Sequence, residues 1–259
     1  MTALNSLRVV EAGARVYRRT WRGSVISTFM NPVLFLLAMG VGLGSLVDDG
    51  GGGGADLGIP YLTFLAPGLL AATAMQTGAG DASYPVMAGI KWRKTYHAVL
   101  ATPIGVRDLV LGHLGWVGVR LVFVTVVYAG IMTLFGATSV VEGLLSVPPA
   151  VLTGLAFAAM VTAYTARLER ETGLSTLFRF VIVPLFLFSG TFFPIEQLPD
   201  FIEWFAYVTP LWHGVALCRG IGLGLGFTVE PVISFAYLGV WIAAGYWLSV
   251  RQMRKRLVI

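Results

Sequence analysis

The feature that most constrains this chain is a set of long apolar stretches without any Lys, Arg, Asp or Glu. The first of them, residues 25–47, has 23 consecutive uncharged positions, and a helix of that length crosses the roughly 30 Å hydrocarbon core of a bilayer. Only 12% of the 259 residues are charged, whereas soluble domains carry about 25%. The composition therefore excludes an ordinary soluble enzyme and an intrinsically disordered chain.

Six apolar stretches, four of them without a charge and two with one arginine each (Arg120 and Arg179), predict six transmembrane helices, so the expected fold class is an all-α polytopic membrane protein. They cover residues 25–47, 59–80, 109–138, 143–166, 173–195 and 231–250. A further apolar piece, residues 205–218, has 14 positions and contains Pro210, which is too short to cross a membrane alone. We expect residues 194–219 to form an outer re-entrant segment, within a single transmembrane domain that covers residues 1–259.

The basic residues alternate between the two ends of these stretches and so predict the orientation. The inner set comprises fifteen of the eighteen Lys and Arg residues, namely Arg8, Arg15, Arg18, Arg19, Arg22, Lys91, Arg93, Lys94, Arg107, Arg167, Arg170, Arg251, Arg254, Lys255 and Arg256. The opposite loops hold eight of the thirteen acidic residues, with Arg219 as their one basic residue. By the positive-inside rule, both termini are predicted to be cytoplasmic.

Residues 1–23 combine apolar positions at helical spacing with arginines on the opposite side. This pattern predicts an amphipathic helix that lies at the inner membrane surface near anionic headgroups. The alternative is a cleaved signal peptide, but the following apolar run of 23 residues exceeds the 7–15 that are typical, and no small-residue cleavage site ends it.

Motifs for catalysis or phosphate binding are weak throughout the chain. The glycine run at residues 50–54 follows no predicted strand and precedes no Lys-Ser/Thr pair, so it predicts a flexible outer loop. His97, His113 and His213 lack metal-ligand spacing, and the single cysteine, Cys218, excludes an intrachain disulfide. We expect the chain to bind no metal or cofactor and to have no catalytic centre of its own.

Arg120 is the one charge placed deep inside a predicted span. An intramembrane charge faces a bundle interior or a polar cavity and is a candidate functional residue. A structural pair with a carboxylate or a carbonyl is an equally good interpretation, and the sequence leaves both open. Asp81 falls at the inner end of span two, where a helix-end role is favoured over proton transfer.

Two segments resemble a known family. Residues 84–103 read YPVMAGIKWRKTYHAVLATP and are followed by IGVRD; residues 189–199 read SGTFFPIEQLP, and residues 209–219 read TPLWHGVALCR. With six spans and cytoplasmic termini, the chain resembles the permease subunit of ABC type-2 exporters over nearly its full length. It is most similar to the nodulation-factor and daunorubicin-resistance permeases, which implies a bacterial cell membrane and outward transport of a drug, lipid or lipid-linked saccharide.

The resemblance also implies the partners. The chain has no Walker A motif, so a separate cytoplasmic ATPase, in two copies, would bind ATP and Mg²⁺. A second permease copy or a paralogue would complete the membrane unit, with surrounding lipids and no nucleic acid. The transport path would run between the permeases, lined mainly by spans one, two and five.

In the resembled family a short coupling helix between spans two and three docks the ATPase. Residues 89–104 match that loop, and the helix is expected over residues 92–101, with Trp92, Tyr96 and Leu100 on one face. The candidate coupling residues are Lys91, Trp92, Arg93, Lys94, Tyr96, His97 and Leu100. The alternative is a juxtamembrane helix whose bases only contact lipid headgroups.

The family's re-entrant helices close the outer end of the pathway. The candidate gate residues here are Phe192, Phe193, Pro194, Trp204, Pro210 and Trp212. An aromatic belt at the membrane–water boundary explains the aromatics equally well. Two other function classes stay open: an ion-coupled secondary transporter or channel, for which the spans lack acidic residues at mid-depth, and a membrane-embedded enzyme, for which no convergent site is found.

Overall fold

A computed structural model describes residues 2–50, 58–195, 199–224 and 226–258, and every regular element in these ranges is helical. The all-α prediction is therefore confirmed for this part of the chain. The helices are α1 (Thr2–Phe35), α2 (Gly44–Gly50), α3 (Tyr61–Ala82), α4 (Tyr84–Met87), α5 (Thr95–Leu100), α6 (Val106–Leu134), α7 (Val140–Leu145), α8 (Val147–Arg167), α9 (Thr172–Leu177), α10 (Val183–Phe188), α11 (Asp200–Tyr207), α12 (Pro210–Leu223) and α13 (Pro231–Leu257). Three π-helical segments, Leu36–Leu43, Ala88–Trp92 and Phe178–Ile182, join neighbouring helices.

The six predicted spans are confirmed in part. In the described residues, four helical stretches are long and apolar enough to cross a membrane: Trp21–Val47, Val106–Leu134, Val140–Arg167 and Pro231–Leu257. These correspond to predicted spans one, three, four and six. The apolar helix Thr172–Phe188, at span five, is shorter than the four. Helix α3, at span two, has 22 residues but is not one of these four stretches.

Neighbouring helices surround most of helix α3. It packs against α8, α12 and α6, and most of its residues are buried. Its contact with α8 is close: a Cβ atom at Gly78 would overlap the carbonyl oxygen of Gly154. A helix buried on most of its surface needs small residues where backbones touch.

The N-terminal segment is not a separate helix. Residues 2–35 form one unbroken helix, so no break in the helix separates the predicted interfacial segment from the span that follows it. The physical reason is a second helix surface: Val9 and Val10 pack beside Gly112 and Gly115 of α6, which have no side chains to exclude them. The glycine run predicted to be an outer loop lies, from residue 51 onward, outside the described residues.

Candidate functional site

The segment between α3 and α6, predicted to be cytoplasmic, is divided, in contrast to the single helix expected over residues 92–101. Trp92 is the last residue of the π-helical segment Ala88–Trp92, and α5 begins only at Thr95. Between them, Lys94 has φ of 51°, a left-handed conformation that interrupts a right-handed helix. The chain therefore changes direction within the predicted coupling loop.

This change of direction separates the three residues that were predicted to share one face. Tyr96 turns back so that its ring packs against Gly89, where a Cβ atom would lie 2.7 Å from a ring carbon. Burial at this contact raises the pKa of Tyr96. Leu100 packs against the main hydrophobic core. Trp92, in contrast, is 49% exposed, so the prediction of a common exposed face is wrong.

A different set of residues is exposed here, and we call it the docking patch. Its members are exposed side chains on and just before α5: Trp92, Arg93, Lys94, Thr95, His97 and Ala98. The patch combines one large aromatic ring with two basic side chains and contains no acidic residue. An exposed aromatic residue with a basic rim is typical of a surface that binds a protein partner.

Two basic side chains donate hydrogen bonds that the sequence did not predict. The Lys91 ammonium, predicted to flank the coupling helix, donates to the carbonyl oxygen of Glu169 at 2.9 Å. The Arg256 guanidinium donates to the carbonyl oxygen of Ala166 at 2.9 Å and to that of Leu168. These carbonyls lie at and after the C-terminal end of α8, where an arginine satisfies otherwise unpaired acceptors.

Arg120 forms an ion pair with Asp81, between α6 and α3. The Arg120 guanidinium also lies 5.4 Å from the centroid of the Tyr17 ring. The pair borders a cleft of about 380 Å³ whose wall includes hydroxyl and amide side chains, among them Thr28, Asn31, Thr73 and Thr77. The structural pair with a carboxylate is thus present, and it faces a polar cleft.

The outer segment consists of two short helices, and prolines mark both starts. Helix α11 follows Pro199, and α12 begins at Pro210, with the Thr209 hydroxyl accepting a hydrogen bond from the Trp212 backbone at 3.4 Å. Short helices at these prolines agree with the sequence prediction, while their insertion into a membrane stays a prediction. Residues 196–198 of the predicted re-entrant segment lie outside the described residues.

The predicted gate residues do not all come together. Phe192 is buried, its ring centroid 5.0 Å from that of Phe186, and its carbonyl oxygen accepts a hydrogen bond from the Tyr61 hydroxyl at 3.0 Å. Pro194 and Trp212 line one cavity of about 460 Å³. Phe193 is half-buried and Pro210 is buried. Trp204 is 71% exposed and belongs to a different surface.

Sequence reasoning missed Arg219 as the residue that holds this outer region together. Its guanidinium donates to the carbonyl oxygens of Phe64 at 3.2 Å, Gly190 at 2.7 Å and Thr191 at 3.0 Å. It also lies 3.7 Å from the centroid of the Phe64 ring. One side chain of α12 therefore joins α3 to the turn before Phe192. The sequence offers one signal for this role, because Arg219 is the only basic residue in the predicted outer loops.

We expect replacement of Arg219 by alanine to loosen the outer end of the molecule. Three carbonyl oxygens would lose a charged donor, and one such hydrogen bond contributes about 1.5–3 kcal/mol. Thermal unfolding of the purified protein in detergent, followed by tryptophan fluorescence, measures the loss. Arg219→Lys is the matched control: it keeps the charge but not the planar set of donors, so it should recover only part of the stability. Unchanged unfolding of Arg219→Ala would contradict this role.

Comparisons with known proteins agree with this geometry. The family described as ABC-2 type transporter matches residues 9–223. The chain is 29% identical to Nodulation protein J of Rhizobium meliloti (strain 1021) over 245 residues, which are 93% of this chain and 90% of the relative. It is 28% identical to Nodulation protein J of Rhizobium leguminosarum bv. trifolii, over 99% of this chain and 95% of the relative. Identity to the inner membrane transport permease YadH of Escherichia coli (strain K12) is 22%, over 92% and 91% of the two chains.

Proposed function

The chain belongs to the ABC-2 type transporter family, and on that premise we propose that it is the permease subunit of an ABC exporter. It would move a hydrophobic or amphipathic molecule outward across a bacterial inner membrane. The observation that carries the proposal is the docking patch between α3 and α6, an exposed aromatic and basic surface at the position where this family binds its ATPase. A permease without its own ATPase motifs needs such a surface.

The proposed partner is a cytoplasmic ABC ATPase in two copies, which binds the ATP and Mg²⁺ that this chain does not. Arg93 and Lys94 would contact the rim of the ATPase groove, and Trp92 would fill it. Lys91 would act indirectly, because its bond to Glu169 holds the loop in place. A second permease copy or a paralogue would form the other half of the membrane unit.

The test of this function is formation of a complex. The full-length chain should co-purify with the ABC ATPase encoded beside its gene when the two are expressed together. The purified complex in liposomes should then hydrolyse ATP, whereas the chain alone should not. A preparation in which the ATPase carries no affinity tag is the control for nonspecific adsorption of the chain. Export that continues when the ATPase gene is deleted would instead favour an ion-coupled transporter.

We also propose the six-span topology, with α3 as span two and the helix Thr172–Phe188 as the main part of span five. Both are shielded from lipid by neighbouring protein or by a second permease, so they need less apolar surface than an isolated span. The basic residues then place the docking patch and both termini in the cytoplasm.

Cysteine labelling checks this topology. In a Cys218→Ala background, a cysteine at Gly52 is expected to react with a membrane-impermeant maleimide in intact cells, because the loop between spans one and two is outside. A cysteine at Thr95, on the docking patch, is expected to react only after permeabilisation. The opposite pattern would contradict the charge-based orientation and would also remove the docking patch from the ATPase's side.

A further inference from the structure

A groove lies between Tyr84 and the helix of span five. None of the functions described so far uses this groove. It has a volume of about 720 Å³, which is in the range of small-molecule sites. Its position follows from the chain: Tyr84 comes two residues after the inner end of α3, and the opposite wall begins at Ser175, near the inner end of span five. In the proposed topology the groove therefore lies at the cytoplasmic boundary of the membrane.

The groove is lined in part by hydrogen-bond donors and by a positive charge. Arg179 follows Ser175 by four residues, so the two side chains lie on one helix face, and Tyr84 faces them from the other side. No acidic residue lines the groove, and within the described ranges no carboxylate lies within ion-pair distance of Arg179. The Thr176 hydroxyl is directed elsewhere, because it donates to the carbonyl oxygen of Thr172 at 3.1 Å.

The groove is also lined by three apolar side chains, those of Phe178, Phe180 and Val183. Phe180 is 69% exposed and Val183 is 49% exposed, and both line the groove further along the helix from the cytoplasmic end. The π-helical segment Phe178–Ile182 carries Arg179 and Phe180, and such segments inside α-helices occur frequently at functional sites. Donors near the water and apolar side chains toward the membrane centre match a molecule with an acidic head and an apolar chain.

We propose that this groove binds the phosphate-type headgroup of an amphipathic molecule, with Arg179, Ser175 and Tyr84 as donors and with Phe180 and Val183 along its chain. A guanidinium forms paired hydrogen bonds to phosphate oxygens, and charge-assisted bonds of this kind are stronger than neutral ones. The ligand is either a membrane phospholipid or the transported molecule. If the ligand is the transported molecule, the inference rests on the proposed exporter function. The transported molecule then has an acidic head that lies at the inner leaflet.

The experiment measures binding of dodecyl phosphate to the full-length chain in uncharged dodecyl maltoside micelles, by isothermal titration calorimetry. Arg179→Gln is expected to weaken binding by about tenfold or more, since a hydrogen bond to a charged group is lost. Arg251→Gln is the matched control: Arg251 is also an exposed arginine near the inner end of a span and lies 5.4 Å from the Trp247 ring, but it does not line the groove. The control variant should bind within about twofold of the native chain.

Equal weakening in both variants would overturn the proposal, because it would mean that arginines only attract headgroups through the general inner-surface charge. Unchanged binding in Arg179→Gln would overturn it as well. Should Arg179→Gln fail to fold, the double substitution Ser175→Ala and Tyr84→Phe removes two donors without changing the charge, and native affinity in that variant would be an equal contradiction. Uncharged dodecyl maltoside in excess should not displace the probe.

A second arm identifies the source of the ligand. Dodecyl phosphate is added to the complex with the ATPase. If it raises ATP hydrolysis with the native chain but not with Arg179→Gln, the ligand is a transported molecule. Binding without any change in hydrolysis identifies a resident phospholipid, and both results support the site. The binding measurement uses neither ATP nor ATPase, so its failure leaves the proposed function standing, and a missing ATPase complex leaves this site testable.

Discussion

Replacement of Trp92 by alanine is expected to abolish ATPase binding at the concentrations used for purification. Burial of an aromatic anchor at the centre of an interface commonly contributes 2 kcal/mol or more, so its loss should weaken the complex by about thirty-fold or more. Trp92 is suited to this role because half of its surface is exposed and it belongs to the docking patch. Co-purification of the ATPase, with ATP-dependent transport in liposomes, measures both consequences.

The controls separate docking from stability. Trp247→Ala removes another exposed tryptophan, on α13 and outside the docking patch, and should leave ATPase binding unchanged. Tyr96→Ala should lower the thermal stability of the loop, since the Tyr96 ring fills the space beside Gly89. Arg93→Gln and Lys94→Gln should weaken binding less, and mainly at low salt, as expected for rim charges. A complex that survives Trp92→Ala at dilute concentration would show that the ATPase docks elsewhere.

Replacement of Arg120 by alanine is expected to reduce the folded yield strongly. The carboxylate of Asp81 would remain in the helix bundle without its partner, and breaking a buried pair costs about 3–5 kcal/mol. The two side chains are 25% and 14% exposed, so we expect the lower end of that range. Size-exclusion chromatography of the detergent extract and thermal unfolding measure the yield and the stability.

The double substitution Arg120→Ala with Asp81→Asn is the matched control for this pair. It removes the unpaired charge as well, so the folded yield should recover. Transport then decides what the polar cleft does: a folded double variant that exports poorly would place the pair in the transport path, and normal export would leave it a structural pair. Normal yield of the single variant would show that Asp81 finds another partner or takes up a proton.

The docking patch and the groove at Arg179 differ in their chemistry and in their position. The docking patch is basic and aromatic and faces the cytoplasm in the proposed topology. The groove at Arg179 is basic and apolar, and it lies at the membrane boundary in the same topology. Such a separation would let the cargo and the ATPase bind at once, on opposite sides of the loop that follows α3. The Lys91 bond to Glu169 links that loop to the segment just before α9, so a movement at one surface has a direct route to the other.

The amino-acid sequence by itself determined the class of fold and the family, and it predicts the orientation. These properties follow from runs of apolar residues, from alternating charge and from residues 84–103 and 189–219, all of which are local or additive along the chain. The prolines at residues 199 and 210 likewise mark helix starts that the structure confirms, because proline restricts the backbone wherever it stands.

Only the tertiary structure decided which side chains meet. Helical spacing placed Trp92, Tyr96 and Leu100 on one face, but Lys94 interrupts the helix and the glycine at position 89 opens a space that the Tyr96 ring fills. The pairing of Arg120 with Asp81 and the three carbonyls bound by Arg219 join residues far apart in sequence. Periodicity describes one helix at a time, whereas these contacts depend on how closely two helix backbones approach, and that is set by the packing of the whole bundle.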